Sequence, residues 1–92
     1  MLRISRRWLS LRFFTKDGCK LCSDADGVLT TTLKQFPQVP LEKIDITDPA
    51  NQEWFDKYCF DVPVLHVERD GEAPVKFMHY FHEDKIAGEL KR

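Results

Sequence analysis

Apolar residues come in short bursts whose spacing changes along the chain. Leu9, Leu11, Phe13 and Phe14 form a run that Thr15 closes, and Asp17-Gly18 behind it is a turn signal. The pattern predicts a β-strand and then a sharp turn. From there Cys19, Cys22, Ala25, Val28, Leu29, Leu33 and Phe36 recur at three- and four-residue steps, which marks one face of a helix. Gly27 and the run Thr30-Thr31-Thr32 are poor helix formers, so tertiary packing has to hold that helix. Pro37 and Pro40 end it.

Leu41, Ile44 and Ile46 predict a second strand, with Glu42 and Asp45 on a partly solvated face. Asp48-Pro49 reads as a helix start, Asp48 as N-cap and Pro49 at the first helical position. This helix is expected to carry Trp54, Phe55 and Tyr58 inward and to finish near Phe60, the four aromatics forming a core cluster. Pro63 to Val67 predicts a third strand, with His66 on a sheet face. Asp70-Gly71 is a hairpin signal, and Val75, Phe77 and His79 alternate on a fourth strand. An amphipathic helix from about His82 to Leu90 closes the chain, with Gly88 weakening it.

The order is thus β-α-β-α-β-β-α, with no repeat, linker or low-complexity stretch. A strand–helix–strand opening implies a right-handed crossover and two parallel strands. The Asp70-Gly71 turn adds an antiparallel hairpin. The expected fold is α/β, a mixed four-stranded sheet flanked by helices.

Composition narrows the class. A chain of 92 residues is one domain, burying roughly 60–65% of its unfolded surface. Its 42% hydrophobic and 32% charged residues are those of an ordinary globular protein. A net charge of −1 predicts no nucleic-acid partner and no membrane-surface role. No apolar run approaches the ~20 residues that cross a bilayer.

The first residues differ from the rest. Arg3, Arg6, Arg7 and Arg12 precede the first acidic residue, Asp17, and Ser5 and Ser10 lie among them. Such a segment is similar to a mitochondrial transit peptide, and reads equally as a basic lead into the first strand. We therefore divide the chain into a basic segment, 1–8, and a folded domain, 9–92. The expected location is mitochondrial or cytoplasmic.

Three cysteines are too few for a disulfide-stapled scaffold, and the odd count leaves one unpaired. Two form the spacing Cys19-Lys20-Leu21-Cys22 between a strand and a helix. A helix N-terminus offers unpaired N–H groups and about half a positive charge. Both stabilise a thiolate, and thiols so placed fall from about 8.5 into the range ~3.5–7.5. Lys16 and Lys20 flank the site and act in the same sense. Cys22, one turn in, is placed to resolve a mixed disulfide on Cys19. A Cys-x-x-Cys is also half of a structural zinc site, but Cys59, His66, His79 and His82 show no paired ligand spacing, and no metal site is expected. A pair of inert buried cysteines is the remaining alternative.

Asp61-Val62-Pro63, ahead of the third strand, adds a second element. With the upstream Cys-x-x-Cys, the sequence resembles the glutaredoxin branch of the thioredoxin superfamily. Phe14 to Cys22 looks like that family's strand–Lys-x-x-Cys-x-x-Cys signature, and Val62-Pro63 like its cis-proline dipeptide. The similarity runs from about Leu9 to Tyr80. The stretch from Ile44 to Pro49 and through Trp54-Phe55 is especially like a small group of divergent eukaryotic glutaredoxin-like proteins. The resemblance implies a thiol–disulfide oxidoreductase of thioredoxin/glutaredoxin fold, with Cys19 as exposed nucleophile and Cys22 as buried resolving thiol. Lys16 would face the glycine carboxylate of glutathione or activate the thiol, and Lys20 would add positive charge beside it. Val62 would pair through its backbone with glutathione, and cis Pro63 would shape the groove. The partners implied are glutathione, as co-substrate, or protein disulfides, acting on a monomer without a metal or organic cofactor.

The departures are specific. Lys20-Leu21 stands where most glutaredoxins have Pro-Tyr, and Asp61 where they have Thr. A carboxylate there opposes a thiolate and repels an anionic tripeptide. Tyr80-Phe81-His82-Glu83-Asp84 replaces the Gly-Gly element that receives the γ-glutamyl end of glutathione. These departures keep open a binding or assembly module whose site has drifted; a second alternative is an iron–sulfur or zinc-linked carrier bridged through Cys19, against which the dithiol argues. Cys59, at the end of the second helix, reads as a small buried hydrophobe, or else as a regulatory disulfide or glutathionylation site. His79 and His82 read as surface polar residues.

Overall fold

The computed structural model describes residues 9–91. The expected basic segment at 1–8, with its targeting character, lies outside them. The elements are β1 (Leu9–Thr15), α1 (Lys20–Leu33), β2 (Leu41–Asp45), a 3₁₀ turn (Pro49–Asn51), α2 (Gln52–Tyr58), β3 (Val64–Arg69), β4 (Val75–Met78) and α3 (Glu83–Leu90). The sheet order is β2-β1-β3-β4. β1 runs parallel to β2 and antiparallel to β3, and β3 is antiparallel to β4. The C-terminal ends of β1 and β4 and the start of β3 therefore meet at one end of the sheet.

Alternation along the strands builds two cores. Leu11, Phe13, Leu65 and Val67 face Ala25 and Leu29 of α1, Ile86 and Leu90 of α3, and Phe81. Phe14, Ile44 and Val64 face Tyr58 of α2, with Trp54 and Phe55 packed at the margin. Each such side chain, fully buried, contributes about 1.5–3 kcal/mol. The weak helix formers of α1 are accommodated by this packing. Thr32 is fully buried, and its hydroxyl donates to the Val28 carbonyl at 2.8 Å, the back-bonding that lets Thr sit inside a helix. α3 is clamped to the sheet by Arg69, itself buried. One guanidinium nitrogen lies 2.5 Å from the Glu89 carboxylate and another donates to the Glu89 carbonyl.

Several local expectations are corrected. α1 stops at Leu33, and the N–H groups of Gln35 and Phe36 bond back to Thr32 and Leu33 as a tightened last turn. Asp48 does cap, accepting from the Ala50 N–H at 3.0 Å, but it opens the 3₁₀ turn rather than α2. α2 ends at Tyr58, whose carbonyl accepts from the N–H groups of both Asp61 and Val62, at 2.8 and 3.1 Å. That reversal throws Phe60 outward, 93% exposed, so it is not a core residue. His79 leaves β4 with φ +67, because the Tyr80 N–H returns to the Met78 carbonyl at 2.8 Å.

Candidate active site

Gly18, at φ +75, turns the chain from β1 into α1, a conformation that glycine adopts without steric cost. Cys19 follows as the N-cap of α1 with extended backbone. Its sulfur takes the place of the usual capping oxygen and accepts a hydrogen bond from the Cys22 N–H at 3.1 Å. A backbone donor is thereby aimed at the sulfur, the atom that carries the negative charge of a cysteine thiolate. Cys19 is partly exposed, Cys22 is 2% exposed, and both are free thiols, as is Cys59. Burial first, and then the hydrogen bond to Cys19, push the Cys22 thiol up, while the Thr15 hydroxyl and the Lys16 backbone oppose the shift. The two cysteines are thus unlike: one accessible, one held protonated in the core.

The flanking lysines are both engaged elsewhere. The Lys16 ammonium donates to the Cys59 carbonyl at 3.1 Å, tying the β1–α1 loop to the end of α2. Lys20 lies along the solvent side of α1, 3.5 Å from Asp24 one turn on. Such an exposed pair contributes well under about 1 kcal/mol.

The Val62–Pro63 peptide bond is cis, and both residues are buried. Val62 packs into the same cluster that Cys19 and Cys59 flank, which brings the proline loop to the thiols. Because the Val62 N–H already donates to Tyr58, an added strand would pair with Val62 through its carbonyl. Asp61 faces His79, with Oδ1 and Nε2 3.9 Å apart. Cys59 is half-buried as the C-cap of α2 rather than enclosed.

Sequence reasoning missed two features. A cavity of about 340 Å³ is lined by Cys19, Cys22, Thr15, Asp26, Lys43 and Asp45, among others. Asp26 sits one helical turn beyond Cys22, and Lys43 lies 3.1 Å from its Oδ1 and hydrogen-bonds to its Oδ2 at 3.4 Å. The four-residue step from Cys22 was the available signal. The second feature is a buried pair on the other face. His66 is 4% exposed, and its Nε2 lies 2.7 Å from the Tyr58 hydroxyl. Its Nδ1 is 3.5 Å from Glu68, so the neutral ring donates from Nδ1 toward Glu68 and accepts the tyrosine proton at Nε2. Among the described residues, no three His, Cys, Asp or Glu side chains gather to hold a metal ion, and no helix is long and apolar enough to cross a membrane.

A Cys-x-x-Cys at a helix N-terminus beside a cis-proline strand, on a β2-β1-β3-β4 sheet, defines a thioredoxin-fold protein of the thiol-oxidoreductase kind. Residues 10–91 match the glutaredoxin-like domain (DUF836) family, and the chain belongs to it. It is 34% identical over 86 residues to a Dictyostelium discoideum glutaredoxin-like protein, covering 90% of this chain and 76% of that one. It is 29% identical over 90 residues to a Bacillus subtilis thioredoxin-like protein, covering 97% and 79%. Among solved structures, thioredoxin-2 of the malaria parasite superposes with a TM-score of 0.76 at 13% identity, covering 96% of this chain and 85% of that one. Thioredoxin O1 of Arabidopsis thaliana superposes with a TM-score of 0.73 at 24% identity, covering 91% and 76%.

Proposed function

We propose that the protein is a dithiol–disulfide oxidoreductase in which Cys19 is the nucleophile and Cys22 the resolving thiol. The observation that carries this reading is the pairing of an accessible Cys19 sulfur, hydrogen-bonded by the Cys22 N–H, with a Cys22 thiol buried one turn behind it.

The Cys19 thiolate attacks one sulfur of a substrate disulfide, an S–S bond forms, and the other substrate sulfur leaves as a thiolate that takes up a proton. Cys22 then gives up its proton and attacks the Cys19 sulfur. The Cys19–Cys22 disulfide forms, and the second substrate thiolate departs. The substrate gains two electrons and the protein loses two, which a thiol reductant such as glutathione restores through the reverse exchange. No metal or organic cofactor enters these steps.

The test is a trap. In a Cys59→Ser background, the Cys22→Ser variant mixed with an excess of a disulfide accumulates a mixed disulfide on Cys19 that intact-mass spectrometry reads, whereas Cys19→Ser accumulates none. A Cys19 that forms no adduct under these conditions sinks the reading. The chain would then be a thioredoxin-fold binding module, in keeping with Asp61 beside the proline and the missing Gly-Gly element.

A further inference from the structure

Tyr58 and His66 meet on the α2 side of the sheet, both buried, and join through a hydrogen bond of 2.7 Å. Thiol exchange makes no use of either, yet Tyr58 holds the proline loop at its start. Its ring lies 5.1 Å from that of Phe14 and stacks on Trp54 at 6.0 Å. Its carbonyl accepts from the N–H groups of both Asp61 and Val62. The Cys59 carbonyl, next in the same loop, accepts from Lys16. His66 stands on β3, the strand that Pro63 leads into. The Tyr58–His66 bond therefore clasps the two ends of the segment that carries the cis peptide.

The clasp needs a neutral imidazole. Neutral His66 accepts the tyrosine proton at Nε2 and donates from Nδ1 toward Glu68. A second proton occupies Nε2, so both ring nitrogens become donors. The Tyr58 hydroxyl proton then has no acceptor among the described residues, and a buried donor without an acceptor is destabilising. The surrounding charges oppose that proton as well. Arg12 of β1 and Lys76 of β4 stand opposite His66 in the two ladders. Lys57 of α2 and Lys76 lie over the Tyr58 ring, 5.5 and 5.9 Å from its centre. Glu68 faces Nδ1 at 3.5 Å but shares its carboxylate with Arg12 at 3.7 Å, and Arg12 also meets Glu42. Three cations gathered around a buried ring outweigh one shared carboxylate and keep it neutral while Tyr58 is in place.

We propose that the Tyr58–His66 hydrogen bond is a proton-sensitive latch on the cis-proline loop, closed while the imidazole is neutral and released when it takes up a proton. Release frees the end of α2 and the loop at 59–63, so acid loosens the half of the site that packs beside Cys19. The step moves one proton from solvent to Nε2 and nothing else, and the latch exists whether or not the thiols exchange. Opened, the ring takes up its proton near the ordinary pKa of about 6.5; closed, burial holds it below that value. Below about pH 6.5 the open form therefore gains on the closed one, by up to about tenfold per pH unit.

Native-state hydrogen exchange of the Asp61 and Val62 amides reads the latch directly. From pH 7.5 to 5.5, corrected for intrinsic rates, their protection falls about five- to tenfold in the native chain. His66→Gln leaves the Tyr58 hydroxyl an acceptor that does not titrate, and keeps the protection constant. His79→Asn removes the imidazole that faces Asp61 and leaves the fall in place. Tyr58→Phe keeps the ring without the clasp, and lowers protection of the same two amides about fivefold already at pH 7.5. About 1 M urea speeds amides that open only by global unfolding at least about fivefold, but leaves these two unchanged. The proposal is overturned by native protection that does not vary with pH, or by a fall that persists in His66→Gln or vanishes in His79→Asn. Unaltered protection in Tyr58→Phe overturns it too, as do loop amides that follow urea in step with the β1–β3 ladder.

Discussion

The Cys22 N–H points at the sulfur of Cys19 across 3.1 Å, so the side chain that caps the helix is itself a thiol. The two residues share one turn yet differ sharply in exposure, and their reactivities should differ accordingly. With Cys59→Ser as background, iodoacetamide at neutral pH modifies Cys19 much faster than Cys22, by at least about tenfold, since only thiolates react and burial keeps the Cys22 thiol protonated. Peptide mapping of the alkylated chain checks this. Comparable labelling of both cysteines would contradict the assigned roles.

Lys16 acts through position. Its ammonium holds the Cys59 carbonyl at 3.1 Å and so ties the loop before Cys19 to the segment leading into Pro63. Lys16→Met keeps the aliphatic stem and removes the donor. A hydrogen bond from a charged group is worth about 1.5–3 kcal/mol when buried. At this half-buried place the expected loss is about 1 kcal/mol, read from the urea midpoint. Disulfide exchange should slow as well, because the two halves of the site are no longer tied.

His66 makes stability fall with acid. Burial lowers its pKa from the ordinary value of 6.5, and Lys76 and Lys57 act in the same direction, while Glu68 opposes them. Arg12 stands opposite His66 in the β1–β3 register. Below about pH 6.5 the unfolded chain takes up a proton that the folded chain still refuses. Stability therefore drops as pH falls through that value, by up to about 1.4 kcal/mol per unit from this group, and is fully present above it. Thermal melts from pH 7.5 to 5 should show a decline that His66→Gln flattens. Unchanged slopes in the variant would assign the decline to other groups.

The Arg69–Glu89 clamp is a buried pair, with side chains 5% and 16% exposed. Glu89→Ala strands a buried guanidinium and should cost about 3–5 kcal/mol. The apolar double replacement Arg69→Met/Glu89→Leu should recover most of that loss, since it removes both desolvated charges together. Chemical denaturation of the three variants tests the order.

The sequence by itself determined whatever depends on local periodicity and turn chemistry. Strand and helix spacing, the Asp17-Gly18 and Asp70-Gly71 turns and the Cys-x-x-Cys at a helix start are read within a few residues of chain, and they yielded the α/β order and the thiol pair. Asp48 was legible as a cap for the same reason, although what it caps is a 3₁₀ turn. Tertiary structure alone decided which side chains long-range neighbours would bury or engage. Phe60 carries a core residue's chemistry, yet two N–H groups converging on the Tyr58 carbonyl turn it outward. His66 sits in an ordinary strand pattern, yet Tyr58, eight residues away, makes it one half of a buried hydrogen bond. Lys16 and Lys20 looked alike in the sequence, but one reaches the end of α2 and the other a neighbour on its own helix. Apart from Lys20, whose partner Asp24 lies one turn along the same helix, the deciding partner is either distant along the chain or fixed by how a loop closes. Such partners are brought together only when the whole chain buries its apolar surface at once.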